Sequence, residues 1–550
     1  MEVQCYPIAI TPGTSALLRD FADPANAAEP RLLQRCYPTE PFGLGFTRQA
    51  APELSEEHRE RLAGLLVEQA DVFGAGEAAR ENIERLRNGA AAVLTGQQVV
   101  LFGGPLLVLL KAATAIRKAA DATARTGRPH VPVFWLATED HDLAEVDQIG
   151  LPTKTEIETI KLGLNPGRAV PVGGIPVDGG TEEGRATLDA ALDRASELIA
   201  WGPVAELLRD CYTKDGTTLA QGFGCFLSAT FAEFGLVVMD ASRPGFHALG
   251  AKALRSAIER APELEQGLLA RSEELERSGY HAQVLVTEGH SLLFLLDAET
   301  GVRQPLRRTE DGGWKAGSRL YTTRELLQIL ESAPERLSPN ALLRPVFQDT
   351  ILPTAAYVGG PAEIAYFAQS AVVYEQILGR VTPVLPRLSA TLVDPAIAKV
   401  MDSHELQITD IWDAKNPEAL AQRLGARAMP IEGKRKLAAA GNALDAELTA
   451  LTEYMAGMSA DLGRAAEVSA SKMRYQMNRL RTMAANFQVQ REASLRKHAN
   501  AIMLGLLPEG HLQERVIGAI WFMARYGEEL PKLLVENAAQ ECPGHRVIYL

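Results

Sequence analysis

Three stretches of the chain combine residue types that can do chemistry. The first reads TEDHDLAEVD at residues 138–147 and follows the apolar run VPVFWLAT at 131–138. Glu139, Asp140, His141 and Asp142 are four consecutive ionisable groups at the end of an apolar segment, an expensive arrangement unless they have partners. Asp140 and Asp142 can hold a cation, whether a metal or a substrate ammonium, and His141 can carry a proton. The competing reading is a solvated loop with a helix-capping aspartate. The second stretch, LTGQQVVLFGGPLLVLLK at 94–111, holds Thr95, Gly96, Gln97 and Gln98, then Gly103-Gly104-Pro105, then Lys111. Glycines ahead of a helix let backbone N–H groups approach an anion, and Pro105 suits a first helical position. A tight turn without ligand is the alternative, because the spacing matches neither the dinucleotide nor the P-loop pattern. The third stretch, 338–394, sets Arg344, Gln348, Asp349, Gly359, Gly360, Glu363, Tyr366, Gln369 and Arg387 in apolar surroundings. After Pro361, the residues Glu363, Tyr366 and Gln369 fall on one helical face. That stripe reads as a pocket wall or as a buried structural network.

These residues need a scaffold. AAAVLT at 90–95 and VPVFWLAT are short apolar runs flanking a helical pattern at 105–126, which together predict a βαβ unit. Further strands are expected at 234–242, 284–286, 292–296, 355–358 and 381–385, with a helix near 217–231. The first ninety residues read as helices. The expectation is an α/β fold: a doubly wound, Rossmann-like core with insertions near 151–230 and 264–336. Ligands of such sheets bind beyond the carboxyl ends of the strands, where 139–142 fall. From residue 433 the texture changes. Leu444, Leu448, Leu451, Met455, Met458 and Leu462 step by three and four, and Met473, Met477, Leu480, Ala484 and Phe487 resume the stepping out of phase. This predicts an α-helical coiled-coil domain, an antiparallel hairpin over 431–505 that turns near Ser459 or Asp461. Residues 1–430 then form the core. Residues 506–550 form a C-terminal helical segment packing back on it, closing with a strand in ECPGHRVIYL.

Composition narrows the partners. The chain has 550 residues and a formal net charge of −13 without a basic stripe, which argues against nucleic acid. Lys434-Arg435-Lys436 reads as a solvated helix start. No apolar run nears the length of a membrane span, and the N-terminus lacks signal-peptide character, so a cytoplasmic protein is expected. Five dispersed cysteines with no C-x-x-C pair fit a reducing compartment rather than a disulfide framework.

The segments TGQQ…LFGGPL, VFWLATEDHDLAEV, LLRPVFQDTILPTAAYVGGPAEIAYFAQ and VLPRLSATLVD resemble the BshC family of bacillithiol biosynthesis, as do LQERV and RYGEELPKLL near the C-terminus. The resemblance implies a Rossmann-like core with connecting insertions and a coiled coil that mediates homodimers. It implies a ligase acting at the last step of the pathway, joining the carboxyl group of cysteine to the amine of glucosaminyl malate. Such a step needs an activated carboxyl group. Magnesium ATP is compatible with that need, while the activating nucleotide and any metal stay open. On this reading Gly103, Gly104, Lys111, Arg344 and Arg387 serve the phosphates, His141 or Asp142 takes the amine proton, and the second glycine pair receives malate carboxylates. Two rivals remain: a nucleotidyltransferase-like enzyme acting on another metabolite, and a non-catalytic, metabolite-binding coiled-coil scaffold.

Overall fold

The structure is a computed structural model and describes residues 2–539 and 542–550. Its centre is a five-stranded parallel sheet. β2 (Ala91–Gln98), β3 (His130–Ala137), β6 (Val237–Asp240), β12 (Thr354–Gly359) and β13 (Val384–Pro386) lie in the order β13-β12-β2-β3-β6. β3 and β12 are almost wholly buried, which explains their near-continuous apolar sequence: helices cover both faces, so alternation has no solvent side to serve. The Leu107–Thr126 helix connects β2 to β3, the Pro244–Glu259 helix follows β6, and the Pro361–Leu378 helix follows β12. Strand order runs outward from β2 in both directions. The crevice between β2 and β12 is therefore the point where such a sheet exposes its carboxyl ends to a ligand.

Two insertions decorate this core. The first begins with the antiparallel hairpin β4 (Gln148–Pro152) and β5 (Ile157–Lys161) and continues as three helices ending with Leu219–Thr230. The second forms an antiparallel sheet of β7 (His290–Leu296), β8 (Arg303–Arg308), β9 (Trp314–Ala316), β10 (Arg319–Tyr321) and β11 (Leu337–Pro339), ordered β10-β9-β8-β7-β11. The strand expected at 284–286 does not form. The backbone N–H and C=O of Val284 bond the Gln369 side chain at 2.9 and 2.8 Å, so no ladder partner is left for them. The strand expected at 381–385 starts later, at Val384, because Pro383 cannot extend a ladder on its N-terminal side.

The chain ends meet in a third sheet, β1-β15-β14. β1 (Glu2–Pro7) pairs antiparallel with β15 (Gly544–Tyr549), and β14 (Ala390–Val393) pairs parallel with β15. The expected final strand is there; Glu541, in the same quoted stretch, lies outside the described residues. β1 was not anticipated, since six residues ending in proline carry little periodicity. Two disulfides, Cys5–Cys542 and Cys211–Cys225, correct the reading of the cysteines as an unpaired set. Spacing alone could not show that residues 537 positions apart come together, Cys5 on β1 and Cys542 just ahead of β15.

Ile431–Met458 and Ala460–Arg491 form an antiparallel hairpin broken at Ser459, whose side chain makes no cap bond. Arg474 reaches across it to Asp445 at 3.2 Å. The expected apolar seam divides. Leu448 and Met477 are buried between the helices, whereas Leu451, Met458, Met473, Leu480 and Phe487 are exposed. Among the described residues no helix is long and apolar enough to cross a membrane.

Candidate functional site

A cavity of about 630 Å³ opens at the carboxyl ends of β2, β3, β6 and β12. Gly96, Gln97 and Gln98 come from the end of β2, and Glu139, Asp140 and His141 from the loop after β3. The Leu107–Thr126 helix adds Lys111, and the Pro361–Leu378 helix adds Glu363 and Tyr366. The second insertion closes the far wall with His290, Phe294 and Arg303.

A buried ion pair spans the β2/β12 crevice. Lys111 Nζ lies 2.5 Å from Glu363 Oε2 and donates to the carbonyl of Gly96 at 2.6 Å and to Gln97 Oε1 at 2.9 Å. Glu363 also accepts from the Gly360 N–H at 2.7 Å and from the Tyr357 hydroxyl at 2.5 Å. Burial alone would raise the Glu363 carboxyl, but the Lys111 ammonium and these donors hold it below the ordinary range. Burial lowers Lys111, against the pull of Glu363. The pair stays ionised because each partner is fully hydrogen-bonded.

This geometry changes what the glycines do. The N–H of Gly360 is already taken by Glu363, so the helix N-terminus is closed by its own side chain rather than left open for an anion. Gly103 and Gly104 do not line the cavity. They turn with φ of +84° and +68°, and a side chain on Gly103 would collide with the Phe226 ring. Gly104 C=O accepts from Ala519 N–H at 2.8 Å, and Leu106 N–H bonds Ile517 at 3.0 Å, so this loop clasps the C-terminal segment. The helix begins at Leu107, two residues beyond Pro105.

Arginines supply the positive charge instead. Arg344 donates to Gln348 Oε1 at 3.1 Å and to the hydroxyls of Tyr357, at 3.3 Å, and Tyr366; its guanidinium faces both rings. Among the described residues no carboxylate lies within 4 Å of it; burial works against its charge, but Tyr366, Tyr357 and Glu363 around it raise the guanidinium on balance. Arg303 is buried, stacks 3.6 Å from the Phe294 ring centre, and bonds Ser338 at 3.0 Å and the Pro339 carbonyl. Arg387 is committed elsewhere: it bonds Glu514 at 2.6 Å and the Leu388 carbonyl at 2.7 Å. The C-terminal segment thus pins the loop after β13, and Glu514 is held anionic against its burial chiefly by Arg387.

On the β3 side, Asp140 accepts from Gln98 at 2.6 Å and from the His141 N–H at 2.7 Å. The His141 ring stands half open to solvent with Nδ1 3.7 Å from Asp140, free to meet a substrate. Glu139 lies 2.9 Å from Nε2 of the fully buried His247, off hydrogen-bond alignment, so the attraction is electrostatic. Burial would lower the imidazole, but Glu139 raises it on balance. Asp142 is exposed and does not line the cavity.

Four other expected residues sit behind the wall. Thr95 donates to the Val358 carbonyl at 2.9 Å, tying β2 to β12. Asp349 is buried against Tyr374, Thr382 and Arg380, and Gln369 braces Val284 and Ser272. Gln348 orients Arg344 without lining the cavity, and Gly359 lines a second, smaller cavity. Sequence reasoning missed His247, His290, Phe294, Arg303, Tyr357 and Glu514. Tyr357 alone had a signal, as the single polar ring in a buried strand. Among the described residues no three His, Cys, Asp or Glu side chains gather to hold a metal.

Comparison with known proteins adds to this geometry. The family model "Bacillithiol biosynthesis BshC, N-terminal Rossmann-like domain" matches residues 1–388, and "Bacillithiol biosynthesis BshC, C-terminal coiled-coil domain" matches 390–550. A relative from Koribacter versatilis is 40% identical over 549 residues, covering all of both chains. One from Solibacter usitatus is 38% identical over 466 residues, 84% of each chain. One from Geobacillus kaustophilus is 29% identical over 581 residues and again spans both chains. All three carry the name "Putative cysteine ligase BshC".

Proposed function

Because the chain belongs to the BshC family of bacillithiol biosynthesis, we propose that its main cavity joins the carboxyl group of cysteine to the amine of glucosaminyl malate. The observation that carries this reading is Arg344, a cation facing the cavity with no carboxylate partner among the described residues. A malate carboxylate supplies the missing charge. The tyrosine hydroxyls and Gln348 fix the guanidinium so that little side-chain entropy is lost on binding. Arg303 and the exposed Arg307 line the same wall and extend the positive field. The Lys111–Glu363 pair keeps the floor of the crevice rigid.

On the β3 side the amine approaches Glu139, Asp140 and His141. A carboxylate attracts the ammonium, and the half-open imidazole of His141 accepts its proton as nitrogen attacks the carboxyl carbon. The carboxyl group needs prior activation. Magnesium ATP is proposed as the activating co-substrate, with magnesium carried on its phosphates. The reaction is placed in the cytoplasm, where cysteine and nucleotide are drawn from metabolism. The exposed apolar face of the helical hairpin, Leu451 to Phe487, is proposed as the homodimer contact.

The test is mass spectrometry of purified protein given cysteine, glucosaminyl malate and magnesium ATP. Appearance of the amide product supports the reading. Binding of glucosaminyl malate without product, whatever nucleotide is supplied, would favour the scaffold alternative.

A further inference from the structure

His247 stands on the Pro244–Glu259 helix, which follows β6, and its side chain is wholly buried. Neither ring nitrogen meets hydrogen-bond geometry with any described residue. The ring lies against Phe347, 5.3 Å between centres, and a side chain on Gly250 of the same helix would collide with that phenyl ring. Burying an imidazole in this way is costly, and packing alone would be served better by an aliphatic side chain. The polar neighbour His247 does have is Glu139, whose Oε1 lies 2.9 Å from Nε2. Burial disfavours its charge, but Glu139 and the nearby carbonyls of Leu337 and Pro334 raise the imidazole on balance. Glu139 keeps 20% of its side chain exposed and has no other ion pair among the described residues. It lines the main cavity beside a second carboxylate, Asp140. Arg303 is the cation across the cavity; burial lowers it, against the pull of Glu139 and Asp140.

We propose, resting on the condensation reading above, that His247 is a positioning residue: it holds the Glu139 carboxylate in place so that the cavity selects an acceptor carrying a free ammonium. Adjacent carboxylates oppose each other's charge, and the imidazole behind Glu139 offsets that repulsion. A carboxylate held at one oxygen also loses little further freedom when an ammonium docks on it. His247 itself is sealed from the cavity, so its effect passes through Glu139. The two ends of the acceptor are then read by separate groups. Arg344, fixed by its tyrosines, takes a malate carboxylate, and Glu139, fixed by His247, takes the amine. A ligand with a hydroxyl in place of the amine keeps the first contact and loses the second.

The test is calorimetric titration of the full chain with glucosaminyl malate and with glucosyl malate, in which a hydroxyl replaces the amine. Wild type should bind the amine about tenfold more tightly, the worth of one charge-assisted contact. His247→Leu keeps the packing but removes the nitrogen. It should cut that preference to about twofold or less, while glucosyl malate binds as in wild type. His247→Gln, which places an N–H at the reach of Nε2, should restore part of the preference. Glu139→Gln should lose the preference by itself, and adding His247→Leu should then change nothing more. Should His247→Leu fail to fold, as thermal unfolding reports, the Glu139→Gln protein with and without His247→Gln gives the same comparison. Four results would overturn the proposal: an unchanged preference in His247→Leu, a parallel loss of both ligands, a larger loss in His247→Gln than in His247→Leu, or a further loss in the double variant. A wild type that binds neither ligand would overturn the condensation reading together with this proposal. A wild type that prefers the amine whatever stands at position 247 would overturn this proposal alone.

Discussion

Lys111 and Arg344 show how one cavity treats two cations differently. Lys111 is matched by Glu363 at 2.5 Å and surrounded by acceptors, so it has no charge to spare for a ligand. Arg344 is surrounded by hydroxyls and an amide oxygen, which orient it without neutralising it. His141 is the residue whose role is most open to test. Its ring is half exposed at the cavity and tied to Asp140 only loosely, which suits proton transfer better than scaffolding. His141→Ala is expected to lower turnover about tenfold to 10⁴-fold, with the thermal midpoint almost unchanged. Steady-state assay of the variant at several pH values checks this. Turnover near wild type would remove His141 from the reaction. The place of Glu139, Asp140 and His141 at the cavity was legible because charge directly after an apolar run is costly without partners, whereas at Asp142 the same reading goes too far, since that residue lies exposed outside the cavity. The glycine pairs misled for a related reason. A sequence shows that backbone N–H groups can be bared, but not that Glu363 or the C-terminal segment has already claimed the space.

Two elements carry further expectations. The helical hairpin buries Leu448 and Met477 but exposes Leu480 at 53% and Phe487 at 60%. A heptad reading saw one seam because three-four spacing does not say which of two adjacent stripes faces the sister helix. Burial of each such side chain contributes about 1.5–3 kcal/mol. Leu480→Glu with Phe487→Glu should therefore halve the mass seen by light scattering, while the protomer, which packs neither side chain, melts as before. An unchanged mass, or a wild type that is already monomeric, contradicts the proposed contact. The terminal sheet makes a pH prediction. His545 is buried in β15, bonded to Ser389 and Thr391 at 2.8 Å, and burial drives its imidazole down to about 4. Unfolded, it titrates near ~6.5. Below that pH the unfolded chain gains a proton that the folded chain refuses, so stability falls as pH drops from about 6.5 towards 4. Roughly 2 kcal/mol should be lost by pH ~5. Urea midpoints of wild type and His545→Asn, measured at neutral pH and near that value, isolate the contribution. An equal pH response in both would refute it.

At the scale of the whole molecule, the cavity is an assembly of distant segments. β2, β3 and β12 could be read from their apolar runs, and with them the place where a ligand would sit. Arg303 and Phe294 could not, because they reach the site from an insertion sheet whose docking is set by tertiary packing. His247 was equally hidden, on a helix whose polar residues look like surface until Glu139 is seen facing it. The C-terminal segment returns through Glu514 to hold Arg387, so chain ends and core form one unit around the site. The central question about the molecule is whether this cavity performs the condensation. The most direct measurement is the rate of amide formation from cysteine and glucosaminyl malate by Arg344→Gln beside wild type, with thermal unfolding of both. Loss of one charge-assisted contact to a carboxylate predicts a fall of about 10- to 10²-fold in kcat/KM for glucosaminyl malate, with the fold intact. A variant that forms the amide at the wild-type rate would contradict the assignment of this cavity as the active site.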